Sequence, residues 1–205
     1  MVGLFILVIT INIWGSVYDS IGKAFRYAAF QVSSIITTTG FVTADYDQWP
    51  SLSKGILLLC MFLGGMAGST GGGIKTMRVM LLAKHTYQEI FKVIHPHAVT
   101  TVKLGGKAVT ADVISSIWGF TFICLAAFVT STLMMAALGM DLVSAFSSVS
   151  ACLFNVGPGL GLVGPVQNFS SIPWAGKWVL IFCMIVGRLE FYTVVALIMP
   201  EFWRK

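Results

Sequence analysis

Four apolar stretches constrain the fold of this chain more than any other feature of its sequence. They are Met1–Val17, Lys54–Ala83, Asp112–Gly139 and Trp174–Met199. A bilayer core of about 30 Å is crossed by roughly 20 mostly apolar residues in a helix, so each stretch approaches the length of a membrane span. Hydrophobic residues make up 57% of the chain and charged residues 10%, which is unlike an ordinary soluble domain. The sequence therefore predicts an all-α membrane protein.

Two further apolar stretches, Phe25–Ile36 and Val143–Phe154, are too short to span a bilayer and suit re-entrant helices. A glycine-containing segment follows each of them: residues 37–41 form the first strip and residues 155–159 the second. Non-helical backbone at membrane depth is tolerated where it is buried in protein or lines a watery cavity. A strip that lines a pore turns its carbonyl oxygens toward a cation. Taken alone, the first strip also fits an ordinary helix C-cap.

An internal repeat favours the pore interpretation. A shift of 117 residues aligns Gly22, Ala28, Val32, Ser33 and Gly40 with Gly139, Ala145, Val149, Ser150 and Gly157. A shift of 123 residues aligns Pro50, Lys54, Cys60, Met61 and Gly64 with Pro173, Lys177, Cys183, Met184 and Gly187. Both halves have the same order of spanning helix, short helix, strip, loop ending in proline, and second spanning helix. The sequence thus predicts tandem membrane–pore-loop–membrane units at 1–84 and 112–205, joined by a cytoplasmic connection at 85–111.

Residues 64–73, the glycine loop, contain six glycines in ten residues. Each glycine costs a helix about 1 kcal/mol relative to alanine, so we expect the second helix of the first unit to break here. A phosphate-binding loop is disfavoured because Ile74 separates Gly73 from Lys75 and a preceding strand is not predicted. Two interpretations remain: a close-packed interface of small residues, or a loop that lies in the path of an ion and acts as a gate.

Arg188 strengthens the gate interpretation. It lies eleven residues beyond Lys177, roughly 16 Å along a helix and near the middle of a bilayer. Charges at that depth are costly and usually functional. The 123-residue shift aligns Arg188 with Gly65, so its guanidinium should lie at the depth of the glycine loop and repel a cation there. The alternative is a structural pair with Glu190 or with a helix carbonyl.

The distribution of charge predicts orientation. Between residues 75 and 112 there are Lys75, Arg78, Lys84, Lys92, Lys103 and Lys107 against Glu89 and Asp112, and Arg204 and Lys205 close the sequence. By the positive-inside rule, both of these regions are cytoplasmic. The opposite side receives Asp45 and Asp47, with Trp49, Trp174 and Trp178 at the position of an aromatic belt. Because the basic residues follow topology, we expect no nucleic-acid partner.

Other chemistries have little support. The four cysteines occupy apolar segments without C-x-x-C spacing, which predicts small buried side chains. His85, His95 and His97 lie in or beside the connection, where solvated positions are expected. No nucleophile, base and acid occur in a recognisable set, so neither an enzyme nor a cofactor is predicted.

Four motifs in order resemble one family. They are TTTGF at 37–41, GGMAGSTGGGIKTMR at 64–78, NVGPGLG at 155–161 and GRLEFYT at 187–193. Together they resemble the TrkH family of bacterial potassium-uptake proteins, within the TrkH/KtrB superfamily. The resemblance implies a pseudo-fourfold pore of four units in one polypeptide, of which this chain matches the third and fourth. It implies ion-binding filter carbonyls at Thr38, Thr39, Gly40, Phe41, Asn155, Val156, Gly157 and Pro158, and a gate at Gly64, Gly65, Gly68, Gly71, Gly72, Gly73 and Arg188.

The resemblance also implies a setting. It predicts K⁺ as the transported ion, the bacterial inner membrane, a homodimer of complete pores and a cytosolic nucleotide-binding regulatory subunit of the TrkA type. The lysines at 92, 103 and 107 either contact that subunit or merely orient the helices. Two units make half a ring, so we expect the first two repeats to be missing. The short first apolar stretch also predicts that the first helix of the third repeat is truncated. An incomplete, non-conducting membrane fragment and a secondary solute transporter remain as alternatives.

Overall fold

The computed structural model describes residues 1–65, 69, 71–95, 101–105, 107–189 and 193 of the 205-residue chain. These residues are predominantly helical, as the sequence predicts. The α-helices are α1 Val2–Ile13, α2 Ile21–Ile36, α3 Ser51–Phe62, α4 Thr76–Ile94, α5 Ala111–Ala137, α6 Leu142–Leu153 and α7 Trp174–Leu189. Short 3-10 helices occupy Tyr46–Gln48, Gly161–Val163 and Phe169–Ser171.

Two small strand pairs interrupt the helices, and the sequence did not predict either. β1 (Leu63–Gly64) pairs in parallel with β2 (Ile74–Lys75), and β3 (Lys103–Leu104) pairs antiparallel with β4 (Lys107–Ala108). The β1–β2 pair joins the end of α3 to the residues before α4. The predicted span Lys54–Ala83 is therefore two helices, and the interruption falls at the glycines.

Among the described residues, α5 alone is long and apolar enough to cross a membrane by itself, with 27 residues and a mean hydropathy of 2.0 over an 18-residue window. Three shorter apolar helices, α1, α3 and α6, accompany it. α7 is described over 16 residues, to Leu189.

The connection predicted at 85–111 begins inside a helix. α4 continues through His85 to Ile94, because polar side chains on its outer face do not interrupt helical hydrogen bonding. Lys92 pairs with Glu89 three residues earlier at 2.7 Å, and the Nζ of Lys84 donates to the carbonyl of Lys103 on β3 at 3.0 Å. The predicted polar segment is thus a helix end packed on a hairpin.

The main core lies where the two halves meet. Four phenylalanines from α3, α5, α6 and the residue after α6 pack with ring centroids between 4.7 and 6.4 Å apart. They are Phe62, Phe128, Phe146 and Phe154. A smaller cluster of Leu81, Val102 and Ile117 joins α4 and the hairpin to α5. This packing holds α3 of the first half against α6 of the second.

Burial confirms one sequence interpretation and corrects another. All four cysteines are buried and free, as small apolar side chains would be. Trp49, however, is only 2% exposed and packs edge-on against the ring of Tyr46, whereas Trp174 and Trp178 are exposed. Trp49 is therefore not part of an outward aromatic belt, because its side chain packs into the main hydrophobic core.

Candidate functional site

The two strips have the same backbone conformation at equivalent positions. Thr38 has φ +54° and Asn155 has φ +55°, and they are the only non-glycine residues with positive φ in the described part of the chain. Gly40 and Gly157 follow two residues later, with φ +72° and +104°. A β-branched residue such as threonine rarely adopts positive φ, and such strain concentrates at functional sites. Its repetition 117 residues apart makes the strips the leading candidate site.

Hydrogen bonds at the ends of α2 and α6 explain this shared conformation. The N–H of Thr38 donates to the Ile35 carbonyl, and the N–H of Asn155 donates to the Cys152 carbonyl, at 3.0 and 3.1 Å. The next N–H groups repeat the match, since the N–H of residue 39 donates to the carbonyl of residue 34 and the N–H of residue 156 donates to the carbonyl of residue 151. Both strips therefore turn their first N–H groups back into the preceding helix.

The carbonyl oxygens of the strips make fewer hydrogen bonds than the N–H groups. Among the described residues, no backbone N–H donates to the carbonyls of 38–40 or of 155–158. Phe41 differs, because its carbonyl accepts from the Ser34 hydroxyl at 2.7 Å. Of the predicted filter residues, Phe41 is thus the one whose oxygen already has a protein partner.

The two strips lie against one another. A side chain added at Gly40 would overlap the Val156 carbonyl oxygen and lie 3.2 Å from the Cδ of Pro158. Residues of both strips also line one cavity of about 460 Å³, with α7 forming another wall. By contrast, a Cβ at Gly157 would meet no described atom within 4 Å. One face of the second strip is therefore open.

Serines of α6 hold the second loop, and the sequence alone did not single them out. Ser147 is fully buried; its hydroxyl donates to the Leu160 carbonyl at 3.1 Å and accepts from the Leu160 N–H. The Ser144 hydroxyl accepts from the N–H of Leu162 at 3.0 Å. The signal in the sequence was the density of serines in a short apolar helix, because buried hydroxyls need partners.

The loops after the strips repeat a second pattern, 123 residues apart. The side chains of Asp45 and Asn168 cap the 3-10 helices that follow them. The Nζ of Lys54 donates to the Asp47 carbonyl at 3.0 Å, and the Nζ of Lys177 donates to the Ser170 carbonyl at 3.1 Å. Lys54 and Lys177 are aligned by the 123-residue shift, and each bonds the second helix of its half to the loop that precedes that helix.

Asp47 links the two loops to each other. Its Oδ2 accepts from the N–H of Gly161 at 3.2 Å, across 114 residues of sequence. The sequence indicated only an outer position for Asp47, because a contact so distant in sequence leaves no local pattern. Asp47 thus serves as a clamp between the halves.

Replacing Asp47 by alanine should lower the apparent melting temperature of the purified protein. A hydrogen bond to a charged acceptor contributes about 1.5–3 kcal/mol, and alanine removes it together with the anchor for the second loop. Asp47→Asn keeps an oxygen acceptor and should lose less. Equal losses in the two variants, measured by thermal unfolding in detergent, would show that the acceptor at Gly161 is not the source of the stability.

The glycine loop is clipped at its base and touches both strips. Thr76 donates its N–H to the Gly65 carbonyl at 3.1 Å and its hydroxyl to the Gly64 carbonyl at 2.7 Å. The N–H of Gly72 donates to the hydroxyl of Thr38 at 3.3 Å. A side chain at Gly72 would overlap the Phe154 carbonyl, just before the second strip, so this glycine is required by close approach. Gly68 lies outside the described residues.

Arg188 shares a cavity of about 240 Å³ with the glycine loop. The other lining residues are Ser69, Gly71–Gly73, Lys75, Arg78, Phe120 and Gly187. The sequence had assigned Lys75 and Arg78 to topology alone, although their place directly after the glycines was a signal. Glu190, the alternative partner of Arg188, lies outside the described residues. Three cationic side chains therefore surround one small space beside the strips.

Comparison with known proteins gives the class of this chain. The family model for TrkH, described as a cation transport protein, matches residues 4–205. Together with the helical fold and the glycine-bearing strips, this match assigns the chain to a class of proteins described by cation transport. The chain belongs to the TrkH family, which confirms the resemblance of the four motifs.

Characterised relatives are similar along nearly the whole chain. It is 42% identical over 201 residues to the Trk system potassium uptake protein TrkH of Escherichia coli (strain K12), covering 98% of this chain and 41% of that protein. Identity to the TrkH protein of Vibrio parahaemolyticus is 44% over 201 residues, covering 98% of this chain and 40% of the relative. The crystal structure of the potassium transporter TrkH from Vibrio parahaemolyticus superposes with a TM-score of 0.89 at 41% identity, covering 98% of this chain and 43% of that one. The chain thus spans about two fifths of the length of these relatives.

Proposed function

We propose that this chain supplies two membrane–pore-loop–membrane units, the third and fourth of four, to a Trk-type potassium-uptake pore. The observation that carries the proposal is the paired backbone of Thr38 and Asn155, with matching φ values at positions 117 residues apart. One such turn would fit an ordinary helix end. Two matching turns in contact, each with positive φ at a non-glycine residue, support a shared filter.

In this proposal the strip carbonyls replace the hydration shell of K⁺. The carbonyls of Thr38, Thr39 and Gly40 bind the ion from the first strip, and those of residues 155–158 bind it from the second. The Phe41 carbonyl already accepts a hydrogen bond from Ser34 and binds the ion through its second lone pair. The C-terminal ends of α2 and α6 lead directly into the strips, so roughly half a negative charge from each helix adds to the attraction. The transported ion needs no cofactor.

The remaining half of the pore would lie against the open face of Gly157. Because an isolated pair of units would expose polar strip backbone to lipid, we assign conduction to the assembly with two further units. The chain spans only about two fifths of the length of its relatives, which supports this assignment. A homodimer of complete pores and a TrkA-type regulatory subunit complete the proposed assembly.

The proposed gate consists of Gly64, Gly65, Gly68, Gly71, Gly72, Gly73 and Arg188. Its support is the bond from Gly72 to Thr38, which sets the loop directly beside the strip, and the cavity that the loop shares with Arg188. An ion leaving the strips would meet this backbone and a fixed positive charge. The lysine-rich end of α4 and the β3–β4 hairpin then face the cytoplasm of a bacterial inner membrane, and the strips open outward.

The decisive experiment is tracer flux through the complete pore in liposomes. Membranes with the protein should take up Rb⁺, and K⁺ should compete better than Na⁺. Thr39→Val should reduce that preference by roughly fivefold, because the Thr39 hydroxyl donates to the Ser34 carbonyl at 3.1 Å and one such bond contributes about 1 kcal/mol.

The matched control is Thr10→Val. The Thr10 hydroxyl donates to the Ile6 carbonyl at 2.7 Å within α1, so this variant loses a similar bond away from the strips. It should leave the ion preference unchanged. A preference for K⁺ over Na⁺ that is unchanged by Thr39→Val, or that both variants reduce equally, argues against a filter at the strips.

A further inference from the structure

Arg78 and Phe120 form a contact that neither the motifs nor the repeat assigns to any role. Arg78 lies in the first turn of α4, and its Cζ is 4.1 Å from the centroid of the Phe120 ring on α5. Phe120 is 5% exposed. A guanidinium within about 6 Å of an aromatic face is attracted by the negative charge of the ring, and the attraction grows where water is excluded.

The pair separates two spaces. On one side is the cavity of about 240 Å³ that is lined by Gly71–Gly73 and Arg188. On the other is a mostly apolar groove of about 680 Å³ between α4 and α5, lined farther along by Leu81 and Ile117. Lys75, Arg78 and Phe120 line both spaces, so the stacked pair lies where the two spaces border each other.

The same contact is coupled to the glycine loop through the backbone. α4 begins at Thr76, two residues before Arg78, and Thr76 holds the carbonyls of Gly64 and Gly65. The β1–β2 pair adds the register of Gly64 with Lys75. A shift of the first turn of α4 therefore moves the base of the glycine loop.

We propose that stacking of Arg78 on Phe120 latches the first turn of α4 to α5 and holds Gly71–Gly73 of the glycine loop against the strips. This inference rests on the proposed gate and adds to it the contact that sets its resting position. Arg78 and Phe120 are positioning residues, since they act on the ion path through the loop. Loosening the latch moves the loop away from Thr38 and raises flux in the resting state.

A series of fluorinated phenylalanines at position 120 tests the latch in the complete pore. Successive fluorines weaken the negative face of the ring while nearly preserving its shape, so resting Rb⁺ efflux should rise stepwise with fluorine number. We expect a rise on the order of tenfold between phenylalanine and the trifluorinated ring. A flat series overturns the latch.

Phe122 provides the matched control, because it lies on the same helix and is 73% exposed. The same series there should leave efflux unchanged, and equal rises at both positions would reject a specific contact with Arg78. Hydrogen exchange of residues 71–78 gives a readout that needs no conduction and should accelerate with fluorination at position 120. Absence of flux in the parent protein would refute the proposed function, whereas unchanged exchange would refute the latch.

Discussion

Replacing Gly40 by alanine should reduce Rb⁺ uptake through the complete pore at least tenfold. Alanine at φ +72° costs about 1–2 kcal/mol in backbone energy, and its Cβ would also overlap the Val156 carbonyl oxygen. The strip can relieve that overlap only by turning the Val156 carbonyl away or by moving the two strips apart. Either change removes oxygens from the proposed ion path, and each 1.36 kcal/mol lost there is a factor of ten in rate.

Gly55→Ala is the control for this result. Gly55 lies inside α3, and a Cβ there would meet nothing within 4 Å in the described structure. Alanine also favours a helix over glycine by about 1 kcal/mol, so the variant should conduct normally and be no less stable. Uptake that survives Gly40→Ala, with the protein verified in the membrane, would mean that contact between the strips is not needed for conduction.

Arg188→Ala should raise resting cation flux. At an effective dielectric constant of about 20, a unit charge roughly 8 Å from K⁺ repels it by about 2 kcal/mol, which corresponds to about thirtyfold in rate at most. Arg188 lies in the wall of the cavity that contains Gly71–Gly73, where that repulsion would act on an ion beside the glycine loop. The measurement is Rb⁺ efflux from loaded liposomes that contain the complete pore.

Two further variants separate charge from shape. Arg188→Lys keeps the charge and should show a smaller rise than Arg188→Ala. Arg26→Ala removes an arginine whose guanidinium lies over the Tyr27 ring at 5.1 Å on α2, away from the cavity, and should have no effect. If lysine and alanine at position 188 gave the same flux, the role of Arg188 would be its hydrogen bonds and not its charge.

In the proposed pore, this arrangement would combine a rigid filter with a movable barrier. Serines of α6 and the Asp47 clamp fix the loops behind the strips, so the strip oxygens are held by packed structure. Among its described residues, the glycine loop is fixed at Thr76 and donates one hydrogen bond to the strips, of 3.3 Å from Gly72 to Thr38. A contact that weak can be broken without disturbing the strips.

The amino-acid sequence alone determined the helices, the break at the glycines and the pairing of the two strips. These features are local: apolar runs set the helices, glycine content ends them, and identical residues 117 and 123 positions apart mark the repeat. Arg188 could be assigned to the depth of the glycine loop because the repeat supplied an alignment. The sequence could not decide which group Arg188 contacts, because Glu190 and the helix carbonyls are equally near to it in sequence.

Only the tertiary structure decided which residues meet across the halves. The bond from Asp47 to Gly161, the packing of Gly40 on Val156 and the stacking of Arg78 on Phe120 join residues 42 to 116 positions apart. It also showed α4 continuing beyond residue 84 and Trp49 turning inward. The physical reason is that helix formation depends on neighbours in the chain, whereas these contacts depend on how finished helices pack, and many packings satisfy the same local pattern.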